Sequence, residues 1–288
     1  MSLVIAHLGP KGTYSEAAAL AYAHWLKRVH GQSASLKAYP SITQAIKAVA
    51  NQDTNLAIVP VENSIEGGVT ATLDSLWQLD CLQIQRALVL PILNACLSKS
   101  QDFLSIQKVY SHPQALGQCQ GWLDQHLPQA QLIPTRSTVD ALQYILADLE
   151  AAAIASRWAA RLYDLPVLAC PINDHADNCT KFWVMGLTSS LQGEHTSIAF
   201  SLPVNAPGTL LQTLKLFADQ NINLSRIESR PTKRSLGDYL FFVDLEADSS
   251  QESVQRALES LRGCTETLKI FGSYTTMSVN ETDITPIE

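Results

Sequence analysis

Four short polar runs carry most of the side chains that could do chemistry in this 288-residue chain. The first, Gly9-Pro10-Lys11-Gly12-Thr13-Tyr14-Ser15, joins glycines that let backbone approach a ligand to a helix start whose free N–H groups suit an anion. It lacks the spacing of a dinucleotide fingerprint or a Walker loop, and a tight turn before a capped helix explains it equally. The second, Pro60-Val61-Glu62-Asn63-Ser64-Ile65-Glu66-Gly67-Gly68, gathers two carboxylates, an amide and a hydroxyl, more than a plain loop requires. In the third, Tyr110-Ser111-His112-Pro113-Gln114-Ala115-Leu116-Gly117-Gln118-Cys119, Pro113 opens a helix, so Ser111 sits at its entry and Gln118 within two turns. A lone histidine such as His112 is more often structural than catalytic. The fourth, Asn178-Cys179-Thr180-Lys181-Phe182, brings polar groups into a buried strand, and a bland strand start reads as well.

The elements that must hold these runs alternate. Residues 4–8 read as a buried strand, and 15–27 as an Ala-rich helix with Thr13-x-x-Glu16 at capping-box spacing. Ser41 caps a helix with Ile42, Ala45, Ile46 and Val49 on one face, and residues 56–60 form another strand. Strands at 108–111, 153–156 and 182–186 and helices after Pro113 and over 139–149 continue the pattern, which means an α/β domain with a largely parallel sheet. Ligands in such sheets lie beyond the carboxyl ends of the strands, where the four runs fall. Past a polar linker the order becomes βαββαβ, that of a ferredoxin-like module. The expected division is a first domain over 1–187, a linker over 188–195, a second domain over 196–274 and a tail over 275–288.

Composition narrows the function classes. Twenty Lys and Arg against 27 Asp and Glu give a charge of -7 without a basic stripe, so nucleic acid is not an expected partner. The longest apolar run, 87–97, is broken by Pro91 and Asn94 and falls short of the ~20 residues of a spanning helix, so no membrane association is expected. The start lacks a basic region and a small-residue cleavage site, which gives a cytoplasmic expectation. Six cysteines without a Cys-x-x-Cys pair, and histidines without ligand spacing, read as reduced thiols and no metal.

In order along the chain, Gly9-Pro10-x-Gly12-Thr13-Tyr14-Ser15, Val61-Glu62-Asn63-Ser64-Ile65-Glu66-Gly67, Ser111-His112-Pro113-x-x-Leu116-x-Gln118-Cys119 and Asn178-x-Thr180-Lys181-Phe182 resemble the four blocks of the prephenate dehydratase family. Gly208-Thr209-Leu210 and Asn223-Leu224-x-x-Ile227-Glu228-Ser229-Arg230-Pro231 resemble the phenylalanine-binding ACT domain attached to that enzyme, and the likeness spans residues 3–274. It looks like the monofunctional kind, without the chorismate mutase domain fused to some relatives.

The resemblance implies a two-lobed, periplasmic-binding-protein-like α/β catalytic domain followed by the ferredoxin-like ACT domain. It implies loss of water and carbon dioxide from prephenate, no cofactor, a homodimer or homotetramer, and allosteric regulation by L-phenylalanine. Thr180 would be the general acid, with Asn63, Ser111 and Gln118 as neutral partners. Gly12, Thr13, Ser15, Glu62, Ser64, Asn178, Lys181 and Phe182 would bind substrate, Glu62 by orienting its neighbours. Phenylalanine would be held by Gly208, Thr209, Leu210, Asn223, Leu224, Glu228, Ser229, Arg230 and Pro231. Positive potential for a dicarboxylate would come from Lys11, Lys181 and helix N-termini. Two positions depart from the pattern: Lys181, where the family usually has Arg, and Thr209, commonly Ala. Arogenate dehydration and a non-catalytic amino-acid-sensing binding protein are the alternatives.

Overall fold

The computed structural model describes residues 3–284 apart from Gln101 and Leu191. The chain opens with β1 (Leu3–Leu8), α1 (Tyr14–His30), β2 (Ala34–Tyr39), α2 (Ile42–Ala50), β3 (Leu56–Asn63), the short β4 (Gly67–Gly68), α3 (Thr70–Gln78) and β5 (Gln83–Pro91). Thr13 caps α1 by accepting from Glu16 N at 3.3 Å, and Gly31, at φ 64, ends it in the left-handed region. The Glu16 side chain does not close the expected capping box: its Oε2 accepts from Gly12 N at 2.6 Å and from the Trp158 indole N–H at 2.9 Å.

The chain then builds a second lobe from β6 (Asn94–Leu97), β7 (Lys108–Ser111), α4 (Pro113–Gly117), α5 (Gln120–His126), β8 (Gln131–Pro134), α6 (Leu142–Ile145), β9 (Ala151–Ser156), α7 (Arg157–Leu162) and β10 (Val167–Ala169). It returns to the first lobe as β11 (Cys179–Gly186). The first sheet is parallel where β1 lies between β2 and β3, but β11 is antiparallel between β3 and β5. In the second, β7 is parallel to β8 and β9, and β6 is antiparallel to β9 and β10. Both sheets are therefore mixed rather than largely parallel, because a strand returning from the other lobe enters its sheet at the opposite end. The helix expected over 139–149 shortens to α6: Lys99 Nζ donates to the Leu146 carbonyl at 2.6 Å, and Asp148 Oδ1 accepts from Glu150 N at 2.9 Å, turning the chain into β9.

The C-terminal domain comprises β12 (His195–Ser201), α8 (Thr209–Ala218), β13 (Leu224–Pro231), β14 (Tyr239–Leu245), α9 (Glu252–Cys264) and β15 (Thr267–Ser278), in the expected βαββαβ order with spatial order β13-β14-β12-β15. β15 runs past residue 274, the expected end of the second domain, and its far half pairs in parallel with β5, from Thr275 opposite Arg86 to Ser278 opposite Val89. Residues 275–278 are thus not tail; they extend the first lobe's sheet and make one sheet of the two domains. The core is shared as well, since Phe242, Phe271 and Tyr274 pack with Ile46, Val59, Leu76 and Trp183. Burying each such side chain contributes about 1.5–3 kcal/mol. Beyond β15, Glu281 reaches Arg157 in α7 at 3.2 Å and Asp283 reaches Arg28 in α1 at 3.6 Å, so the final described segment touches both lobes.

Candidate active site

The two lobes face each other across a cleft with a cavity volume of about 820 Å³, lined by the loops at the carboxyl ends of β1, β3, β7 and β8. The first-lobe wall includes Thr13, Tyr14, Ser15, Asn63, Thr180 and Phe182. Asn94, His112, Gln114, Gln118, Arg136 and Asp140 stand on the second lobe's side. Strand alternation sends Thr180 and Phe182 into the cleft and the intervening Lys181 to the opposite face.

Thr180 lies opposite Asn63 in the β11–β3 register, and Asn63 Nδ2 donates to Thr180 Oγ1 at 3.0 Å. The same amide reaches Asn178 Oδ1 at 2.9 Å, while Asn63 Oδ1 accepts from the backbone N–H groups of Ile65 and Glu66 at 3.1 Å each. Asn178 Nδ2 donates to Gln118 Oε1 at 2.9 Å, joining the lobes. Thr180 is 8% exposed, and no acceptor among the described residues takes its hydroxyl hydrogen. That O–H can therefore donate to a molecule in the cleft.

Several expected residues stand elsewhere. Ser111 is fully buried and donates to the Ile154 carbonyl at 2.6 Å; because alternation turns it under the cleft floor, it pins β7 to β9 rather than facing the cavity. Gly12, at φ +92, donates to Glu16 and accepts from Ser156 Oγ at 3.2 Å, joining the lobes instead of lining the cleft. Ser64 Oγ accepts from Cys179 N at 3.0 Å and holds the loop against β11 from outside. Asn178 forms the layer behind Asn63. Lys11 does not line the cavity.

Glu62 and Lys181 belong to a different assembly. They sit opposite each other in register, on the face turned to the C-terminal domain. Lys181 Nζ lies 3.1 Å from Asp244 Oδ2, and Arg226 Nε reaches the same oxygen at 3.0 Å. Ser197 Oγ donates to Asp244 Oδ1 at 2.5 Å, and Arg226 also contacts Glu228 at 3.3 Å. Burial alone would raise the Asp244 carboxyl, but Arg226, Lys181 and the Ser197 hydrogen bond outweigh it and hold the group at about 2. Lys181 is therefore an interdomain ion-pair residue, not a lining cation.

The residues expected to hold phenylalanine divide in the same way. Gly208, Thr209 and Leu210 line a cavity of about 200 Å³ with Asn205, Asp238 and Phe241. Asn223 instead donates to Glu246 Oε2 at 2.7 Å, Arg230 forms a two-pronged pair with Asp74 of α3 at 3.1 and 3.2 Å, and Glu228 packs on Gly68. Leu224, Ser229 and Pro231 lie on β13 and do not line that cavity, so one chain does not bring the set together.

Sequence reading missed Asn94, whose Oδ1 accepts from Tyr14 at 3.0 Å, and the loop carrying Arg136 and Asp140. The loop's signal was the short run Leu132-Ile133-Pro134, part of β8, which lies parallel to β7 and puts the next residues at a strand's carboxyl end.

Comparison with known proteins agrees with this arrangement. The family model for prephenate dehydratase matches residues 5–190, and that for the ACT domain matches 196–263. A bifunctional chorismate mutase/prephenate dehydratase of Aquifex aeolicus is 40% identical over 94% of this chain and 73% of its own length. A prephenate dehydratase of Lactococcus lactis is 36% identical, covering 96% of this chain and 99% of its own. The crystal structure of an Arthrobacter aurescens prephenate dehydratase in complex with L-Phe superposes with a TM-score of 0.84 at 32% identity, covering 99% of this chain and 92% of that one. With two lobes around a cleft, the four motif blocks in order and a C-terminal ACT domain, the chain belongs to the prephenate dehydratase family.

Proposed function

We propose that this protein converts prephenate to phenylpyruvate, a carbon–oxygen lyase reaction that needs no cofactor, with Thr180 as proton donor. One observation carries the reading: the cleft-lining Thr180 hydroxyl accepts from Asn63 at 3.0 Å while no described residue accepts its hydrogen. The ring hydroxyl leaves as water with that proton, the ring carboxylate leaves as carbon dioxide, and its electron pair completes the aromatic ring. Solvent returns the proton to Thr180. An amide N–H on Oγ1 favours the more anionic oxygen that proton loss creates, and Asn178 and Gln118 fix that amide. Ser15 and Gln118 are further neutral groups for the ring hydroxyl and carboxylates.

The test is a steady-state assay with prephenate and with arogenate. Thr180→Ser should keep substantial kcat, and Thr180→Val should lose about 10² to 10⁴-fold. Equal rates for Thr180→Val and the unaltered protein would remove Thr180 from the mechanism. Turnover of arogenate alone would change the substrate, and turnover of neither would favour an amino-acid-sensing binding protein.

Regulation by L-phenylalanine is the second half of the reading, supported by the ACT match and by the cavity at the N-terminus of α8. Because Asn223 and the 228–231 run lie away from that cavity within one chain, the full set of motif residues needs a second copy, hence a homodimer or homotetramer. Six free cysteines fit a reducing, cytoplasmic setting.

A further inference from the structure

Among the described residues that line the cleft, Arg136 is the one lysine or arginine. It stands on the loop after β8, on the lobe opposite Thr180, with no ion pair or hydrogen bond to another described residue. Asp140, on the same loop, also lines the cleft, but no ion pair joins the two. Lys181 is held by Asp244 on the far side of the sheet, and Lys11 lies outside the cavity. A dianion entering a protein of charge -7 thus meets, among the described residues, one unpaired lysine or arginine in this cleft.

We propose that Arg136 anchors the carboxylate the substrate keeps, the one on its side chain; this rests on the dehydratase reading above. The leaving hydroxyl and the carbon bearing the departing carboxylate are at opposite ends of the ring. With Thr180 at the hydroxyl end on the first lobe, both carboxylates point toward the second. The two differ in their fate. A cation on the departing carboxylate stabilises charge that must move into the ring, so it would favour the ground state over the transition state and slow decarboxylation. The side-chain carboxylate keeps its charge throughout, so gripping it strengthens binding without raising the barrier. An unpaired guanidinium offers that carboxylate a two-pronged, charge-assisted contact.

Arg136→Gln should raise KM for prephenate about 10- to 100-fold with kcat nearly unchanged. It should weaken inhibition by phenylpyruvate by a similar factor, because the product retains the same carboxylate. The dependence of KM on ionic strength should flatten, and Arg136→Lys should recover part of the loss. Since Arg136 is exposed and bonded to no other described residue, neither change should move the melting temperature. KM and product inhibition within about twofold of the unaltered protein would overturn the proposal, as would a change confined to kcat. If the unaltered protein does not turn over prephenate, the dehydratase reading falls and the anchor with it; active unaltered protein beside an unaffected variant overturns the anchor alone.

Discussion

Asp244→Asn tests the interdomain charge cluster, because the replacement keeps the shape and removes the charge. The Asp244 carboxylate is fully buried and accepts from Lys181, from Arg226 at 3.0 and 3.3 Å, and from Ser197. An asparagine would leave Arg226, whose side chain is 6% exposed, with Glu228 at 3.3 Å as its nearest anion. Removing one partner of a buried pair typically costs about 3–5 kcal/mol, and the surviving Glu228 contact argues for the lower end. Linkage gives a second figure: lowering the carboxyl from 3.8 to about 2 corresponds to about 2 kcal/mol. Both point to about 2–3 kcal/mol, which for a chain of 288 residues is a melting point roughly 3–5 °C lower at neutral pH. The sign of the pH dependence follows from the depressed native value. The stabilisation is fully present above the ordinary carboxylate range and is lost as pH falls from about 4 toward about 2. Thermal melts of both proteins from pH 7 downward should show a wide gap that narrows below about pH 4. Equal melting points at pH 7, or a gap that stays constant into acid, would refute the reasoning.

Lys181→Met should leave KM for prephenate within about twofold, without added salt sensitivity, and lower the melting temperature less than Asp244→Asn, since Asp244 keeps Arg226. Steady-state kinetics at two ionic strengths and a melt check this; a large rise in KM would return Lys181 to the substrate site. At Gly193, an added Cβ would overlap the Tyr274 backbone, which no rotamer change can relieve. Gly193→Ala should therefore lower stability by about 1–3 kcal/mol or more, read as a lower urea midpoint, and an unchanged midpoint would show that the segment shifts freely.

Most elements were legible because capping residues and apolar faces announce them, as at Thr13, Ser41 and Pro113. Motif order pointed to the cleft and to Thr180, Asn63 and Gln118, which the structure joins in one hydrogen-bonded set through Asn178. What escaped was which way neighbouring side chains point. Glu62 and Asn63, or Thr180 and Lys181, are adjacent in sequence, yet alternation along a strand puts one on the cleft and the other on the domain interface. A chain read alone shows that a buried strand carries polar groups, not that both its faces are occupied. The same limit hid the extension of β15, because pairing with β5 is set by a partner far away in the chain.

That extension changes what it means to shorten the protein. Without β15, β5 becomes an edge, with bare N–H and C=O groups beside the apolar Ile84, Ala87, Leu88 and Leu90. During synthesis that edge stays open until the far end of the chain emerges, a non-local pairing of the kind that slows folding and exposes intermediates to aggregation. A chain ended at residue 190 would remain in this unfinished condition. The ACT domain is thus also the cover that seals the catalytic sheet, and a C-terminal deletion tests solubility before it tests regulation.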